Sequence, residues 1–195
     1  MAVVTISRQL GSLGREVAAL AAARLGCRMV QRDVINEAAR RASAPEVAIS
    51  IIDELNLLKL TPTAKARRAY CDAMLQVMRE LAQAGNVIIV GRAGQVTLRD
   101  FPGVAHVRII APERLRVERL AERLSITRTA AQAQIQASDY SRSEYLKTYY
   151  QVAWEDPELY DLVINTAYVS VATATDIVCK LALAKAQPAS TQSPS

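Results

Sequence analysis

Arginine, serine and glycine crowd one short stretch of the chain, where residues 7–16 read SRQLGSLGRE. A β-branched run (Val3, Val4, Ile6) leads into it, and an Ala-rich, helix-favouring segment follows. Strand, glycine turn and helix in that order present backbone N–H groups to a phosphate at a helix N-terminus. Gly11 and Gly14 permit positive φ and close backbone approach to such a ligand. Ser7, Arg8, Gly11, Ser12, Gly14 and Arg15 are therefore the candidate phosphate-binding residues. The stretch departs from the common phosphate-loop pattern G-x-x-x-x-G-K-[ST]. Gln9 occupies the first glycine position, and Arg15 and Glu16 stand where the lysine and hydroxyl residue belong. Arg15 keeps the charge and can grip phosphate bidentately where lysine acts as a point charge. A plain glycine turn between strand and helix is the competing explanation of the same spacing.

Other arginines stand where chemistry could use them. Residues 91–94 read GRAG directly after an apolar run, so Arg92 is a candidate for holding the phosphate of an acceptor. A local pair with Asp100 is its alternative. In APERLRVERLAERL, Arg116, Arg119 and Arg123 fall at i, i+3 and i+7 on one helix face. Such a stripe can line a transfer site, or form a solvated face paired with Glu118 and Glu122. In DYSR, Asp139 and Arg142 are three residues apart and can pair locally or point together into a cleft. Tyr145, Tyr149, Tyr150 and Trp154 can stack on a base, although packing is the default for such rings.

Composition narrows the function classes. The 195 residues are 51% hydrophobic and 22% charged, which suits one globular domain with a sizeable core. No apolar run approaches the ~18–20 residues of a membrane span, and no secretory signal is expected at the N-terminus. The formal net charge is +5, but the arginines are dispersed, which favours a nucleotide-sized ligand over a nucleic-acid duplex. Three widely spaced cysteines (Cys27, Cys71, Cys179) argue against a disulfide framework and for a reducing, cytoplasmic setting. His106 is the sole histidine and is flanked by apolar residues, so it reads as a strand residue. A multi-histidine zinc site and a histidine-based triad are excluded by count.

These residues need elements to hold them. Strands are expected at residues 2–6, 27–30, 87–90, 104–110 and 160–166. Helices are expected at 14–25, 70–84, 113–124, from about 127 to the Asp156–Pro157 break, and at 171–185. Asp33 stands as N-cap of a further helix. Residues 44–70 read as a helical insertion able to close over a ligand, and 188–195 as a disordered tail. Short apolar strands alternating with helices predict an α/β fold with a parallel sheet covered on both faces. Ligands of such sheets sit beyond the carboxyl ends of the strands, where Ser7–Arg15, Arg32–Asp33, Gly91–Gly94 and the turn after Ile110 would converge.

Taken together and in this order, VTISRQLGSLGREVA, QRDVI, NVIIVGRAG, HVRIIAPERLRVERL, DYSR and YDLVINT resemble the cytidylate kinase-like family, from about Val4 to Asn165. The resemblance implies a three-layer P-loop kinase core over residues 1–187, with a lid-like region at about 112–155. It implies a donor nucleotide cradled by Gly11–Arg15 and an acceptor nucleotide near Asp33 and Arg92. It places Arg119 and Arg123 near the transferred phosphate, with Asp139 and Arg142 contributing from the next helix, so that Arg15, Arg119, Arg123, Asp139 and Arg142 form the implied catalytic set. The implied reaction moves the γ-phosphate of ATP, with Mg2+, to CMP, dCMP or a related small acceptor. The family's Gly-Lys-Gly-Thr loop ending is replaced here by Gly14, Arg15, Glu16 and Val17. Ser12 or Ser7 is then the available hydroxyl, and no aspartate ends either central strand. Two rival readings stand beside the kinase: a catalytically inactive nucleotide-binding or sensing module, and a basic interaction protein with a vestigial glycine turn.

Overall fold

Strand 1 (β1, Val3–Arg8) lies at the centre of a five-stranded parallel sheet and is buried on both faces, with only Thr5, Ser7 and Arg8 polar. The computed structural model describes residues 1–31, 41 and 63–187. In chain order the elements are β1, α1 (Gly14–Leu25), β2 (Arg28–Val30), α2 (Ala64–Ala84), β3 (Val87–Val90), α3 (Gly94–Thr97), β4 (Val104–Ile110), α4 (Glu113–Leu124), α5 (Arg128–Tyr150), a 3-10 turn (Pro157–Leu159), β5 (Leu162–Asn165) and α6 (Val171–Ala186). The strands lie in the order β2-β3-β1-β4-β5. Every neighbouring pair is parallel. This bears out the α/β, three-layer expectation.

The alternation of strand side chains builds two cores. Val3, Val87 and Ile89 face the side covered by Tyr70, Met74 and Met78 of α2. Val4, Ile6, Ile88 and Val90 face the other side, against Val17, Ala18 and Ala21 of α1 and Ala174 and Val178 of α6. Small residues on both of the latter helices let them lie close to the sheet.

Two boundaries differ from the sequence expectation. Helix α2 begins at Ala64 rather than Tyr70, so Lys65, Arg67 and Arg68 belong to its first turns and not to an insertion. No breaker separates Thr63 from Tyr70, and the buried stripe of Tyr70, Met74, Val77 and Met78 holds the whole helix to the sheet. Helix α5 stops at Tyr150, well before Asp156–Pro157. Gln151 takes a left-handed φ of 59° and donates its N–H to the Lys147 carbonyl at 3.1 Å. This early end turns the chain back toward the sheet, which carries Trp154 into the interior. Asp33, the 44–62 part of the expected insertion and the 188–195 tail lie outside the described residues.

His106 is a strand residue, as its neighbours suggested. Its Nδ1 is 2.7 Å from Thr5 Oγ1, and its backbone N–H donates to Asp161 Oδ2 at 2.7 Å. Lys185 donates to the other Asp161 oxygen at 2.6 Å. Burial holds the imidazole pKa below its ordinary 6.5, outweighing the upward pull of the Asp161 carboxylate. The unfolded chain therefore binds this proton more readily than the folded one. The neutral ring's contribution is present above about pH 6.5 and is lost as pH falls below it. Thermal unfolding midpoints should drop between pH 7 and pH 5, and His106→Asn should remove part of that drop. An unchanged pH profile in His106→Asn would show that the fall comes from other groups.

Candidate functional site

The loop between β1 and α1 is held by its own backbone and by the end of β4. The Gln9 N–H donates to the Ile109 carbonyl at 3.1 Å, and Gln9 Oε1 accepts from the Ala111 N–H at 3.1 Å. The Ser12 hydroxyl and N–H both turn back to the Gln9 carbonyl, at 2.8 and 3.3 Å. Gln9, in the place of a glycine, is thus the residue that moors the loop. Leu13 has φ 60°, and α1 opens at Gly14 with no side-chain cap on its first N–H groups. That opening leaves a positive helix end toward the solvent side of the turn.

The two loop glycines answer to steric demands. Gly11 has φ +81°, and a Cβ there would lie 2.8 Å from the Arg116 carbonyl oxygen and 3.0 Å from Arg116 Cβ. A Cβ at Gly14 would lie 2.7 Å from Arg8 Cβ. Gly11→Ala should destabilise the fold by roughly 2–5 kcal/mol, combining left-handed backbone strain with overpacking. Urea unfolding checks this, and a loss under ~0.5 kcal/mol would show that α4 moves aside without penalty.

Beyond the carboxyl ends of β1, β2 and β3 lies a cavity of about 700 Å3. Ser7, Arg8 and Arg15 line it from the first loop, Met29 and Gln31 from the end of β2, and Val90–Ala93 and Gln95 from the end of β3. Ser138, Ser141, Arg142, Tyr145 and Leu146 of α5 cover it, with Trp154 beside them. Four guanidinium groups therefore face one space, and no carboxylate is among the described residues lining it. Burial lowers the Arg8 pKa, with Arg15 and Arg123 adding repulsion against the opposing pull of Glu16. Arg142 is held down to about 10, first by burial and then by Arg8. Arg8 Nε is buried and has no hydrogen-bond acceptor among the described residues. Half-buried, mutually repelling cations with an unused buried donor call for an anion.

The other candidates have different places. Gly11, Ser12 and Gly14 shape the loop but do not line the cavity. Arg119 donates to Thr166 Oγ1 at 3.0 Å and to the Thr166 carbonyl at 2.9 Å, while Thr166 Oγ1 donates to the Ser12 carbonyl at 2.9 Å. In this structure Arg119 ties the loop after β5 to the first loop rather than facing the cavity. Arg123 is half exposed and lies 3.7 Å from Glu16 of α1. Asp139 does not pair with Arg142. Its Oδ2 accepts from buried Arg116 at 2.8 Å, and Arg116 also donates to the Ala111 and Leu10 carbonyls at 2.9 and 3.3 Å. Arg142 instead donates to the Ser138 carbonyl at 3.1 Å and to the Ser138 hydroxyl. The three arginines of the α4 stripe thus have three separate partners, and only Arg116 is buried.

The tyrosines pack on one another. Tyr70 and Tyr149 meet edge to face at 5.0 Å, and Tyr145 lies 5.1 Å from Tyr149. The Tyr70 and Tyr145 hydroxyls are 2.8 Å apart. Burial pushes both pKa values up, so both stay protonated at neutral pH. The described residues do not fit a protein-held magnesium site. They contain no group of three His, Cys, Asp or Glu side chains able to hold a metal. The Ser12 hydroxyl is spent inside the loop, and Ser7 Oγ is occupied by the Trp154 indole N–H at 2.8 Å. One polar assembly escaped the sequence reading altogether. Gln95, Arg108, Trp154 and Tyr160 form a buried network behind Ser7, with the Arg108 guanidinium 4.4 Å from the Trp154 ring centre. The only signal for it was an arginine inside an apolar strand run.

Comparison with known proteins places the family and the fold. The signature of the cytidylate kinase-like family matches residues 3–168. A uronate isomerase from Corynebacterium glutamicum is 34% identical over 91 residues, which is 47% of this chain and 18% of that protein. A cytidylate kinase from Staphylothermus marinus is 31% identical over 101 residues, 51% of this chain and 55% of that enzyme. The chain thus spans about half or less of these curated relatives. Among solved structures, an uncharacterized protein from Eubacterium ventriosum superposes with a TM-score of 0.72 at 22% identity, covering 92% of this chain and 97% of that one. A gluconokinase from Sinorhizobium meliloti gives 0.55 at 17% identity, covering 94% of each. These likenesses establish a kinase-type fold.

Proposed function

The chain belongs to the cytidylate kinase-like family, and on that footing we propose that it transfers the γ-phosphate of ATP to a nucleoside monophosphate such as CMP or dCMP, or to a related small acceptor. The observation that carries this reading is the cavity at the strand ends, walled by Arg8, Arg15, Arg92 and Arg142 with no carboxylate among its described lining residues. Phosphoryl transfer is mostly positioning and charge neutralisation, and guanidinium groups supply both. Arg8 and Arg15, at the first loop, hold the donor phosphates. Arg92, at the end of β3, holds the acceptor together with Asp33, and Arg142 reaches the transferred group from α5. Arg119, Arg123 and Asp139 act on the same region through α4 and α5, which would close as a lid. The resemblance to kinases implies Mg2+ as well, but the described residues offer it no ligand set, so no step is assigned to it.

A second reading is favoured by one feature of the loop. Arg15, Glu16 and Val17 replace the lysine and hydroxyl residue, which suits a nucleotide-binding or sensing module without catalysis. Among the described residues no helix is long and apolar enough to cross a membrane, and the three cysteines are free thiols, which fits the proposed cytoplasmic setting. The deciding experiment offers ATP with a panel of nucleoside monophosphates and small hydroxyl acceptors and follows ADP. Acceptor-dependent ADP formation, largest with CMP or dCMP, is expected. Nucleotide binding without turnover on any acceptor selects the sensing reading, and no nucleotide binding rejects both.

A further inference from the structure

We propose that Trp154 is a positioning residue that makes the Ser7 hydroxyl a dedicated donor to a phosphate oxygen in the cavity, an inference that rests on the phosphate-binding reading above. Trp154 Nε1 donates to Ser7 Oγ at 2.8 Å, and both side chains are buried at the cavity wall. Tyr160 is the other nearby hydroxyl, and it has one proton. That proton goes to the Trp154 carbonyl at 2.8 Å rather than to Ser7 Oγ at 3.4 Å. The Tyr160 oxygen in turn accepts from Arg108 at 3.2 Å and from Gln95 at 3.3 Å, which fills its lone pairs. The Ser7 proton then has no short acceptor among the described residues, and the remaining direction is the cavity. There the guanidinium groups of Arg8 and Arg142 are donors only, and no oxygen of the other described lining residues accepts from Ser7, so a bound phosphate oxygen is the acceptor that suits this proton.

A hydroxyl that already accepts from an indole N–H has its proton aimed away from the ring, which makes it a good anion donor. The indole thereby orients the Ser7 proton toward a phosphate oxygen at the end of β1. Arg108 holds the indole in place, with its guanidinium over the ring at 4.4 Å and a hydrogen bond to the Trp154 carbonyl. The end of α5 at Gln151 brings the ring to this point.

The test is a double-mutant cycle on affinity for inorganic pyrophosphate, measured by calorimetry with the full chain. Ser7→Ala and Trp154→Phe should each weaken binding about tenfold or more, the loss expected for one hydrogen bond to a charged group. The double variant should lose no more than either single one, because both remove the same bond. Additive losses, or a Trp154→Phe protein that melts earlier but binds as well as the wild type, would overturn the proposal. Trp154 is the sole tryptophan, so its emission gives a second measurement should Trp154→Phe fail to fold. Pyrophosphate should shift that emission in the wild type and not in Ser7→Ala. The same shift in both proteins would also overturn it. A wild-type protein that binds no pyrophosphate would reject the phosphate-binding reading itself, whereas binding with unchanged variants rejects only the role of Trp154.

Discussion

Arg142→Met is expected to weaken pyrophosphate or ATP binding by about a hundredfold while leaving the ligand-free protein as stable as before, or more stable. The half-buried guanidinium lies beside Arg8, and burial, then Arg8, holds its pKa down to about 10. That depression is about 3 kcal/mol held against the charged form before an anion binds. Removing the group relieves that penalty and at the same time deletes a bidentate, charge-assisted grip on phosphate, roughly 3 kcal/mol of binding. Opposite effects on stability and affinity distinguish a ligand-holding cation from a structural one. Affinity titrations with pyrophosphate and ATP, beside thermal melts of the wild type and the variant, check both statements. Wild-type affinity in Arg142→Met would remove the cavity from consideration as the anion site.

Arg116→Met should have the opposite profile, a loss of about 3–5 kcal/mol of stability with or without ligand. Arg116 is buried and holds Asp139 of α5, the Ala111 carbonyl at the end of β4 and the Leu10 carbonyl of the first loop. Its removal strands a carboxylate whose other oxygen, Oδ1, is buried with no hydrogen-bond partner among the described residues. Two backbone carbonyls lose a donor as well. Pairing the change with Asp139→Leu should recover most of the loss, because the unpaired charge goes with it. Denaturant unfolding of the two variants is the measurement. A loss below about 1 kcal/mol in Arg116→Met would mean that α4, α5 and the loop are held together by packing alone.

Much of the fold was legible in the chain. The apolar strand runs, the glycine punctuation and the spacing of α4 and α6 marked their elements because a parallel sheet buries both faces of its central strands. The ends of α2 and α5 were not, because they depend on which residues find a packing partner. Tyr70 extends a helix by docking on the sheet, and Gln151 ends one by a left-handed turn that no nearby glycine or proline announces.

The arginines show where sequence stops and tertiary structure begins. The sequence by itself determined that Ser7, Arg8 and Arg15 flank a strand-to-helix turn and that Arg92 follows a buried strand, because local backbone geometry ties each to a strand end. It also settled that no multi-histidine chemistry is available. Only the tertiary structure decided which cations share the cavity. Arg116, Arg119 and Arg123 lie on one helix face by spacing, yet they bind Asp139, Thr166 and Glu16. Arg142 lines the cavity and donates to Ser138, while Asp139, three residues before it, pairs with Arg116. Periodicity assigns a residue to a face of its own helix, but what that face meets is set by contacts from residues distant in the chain.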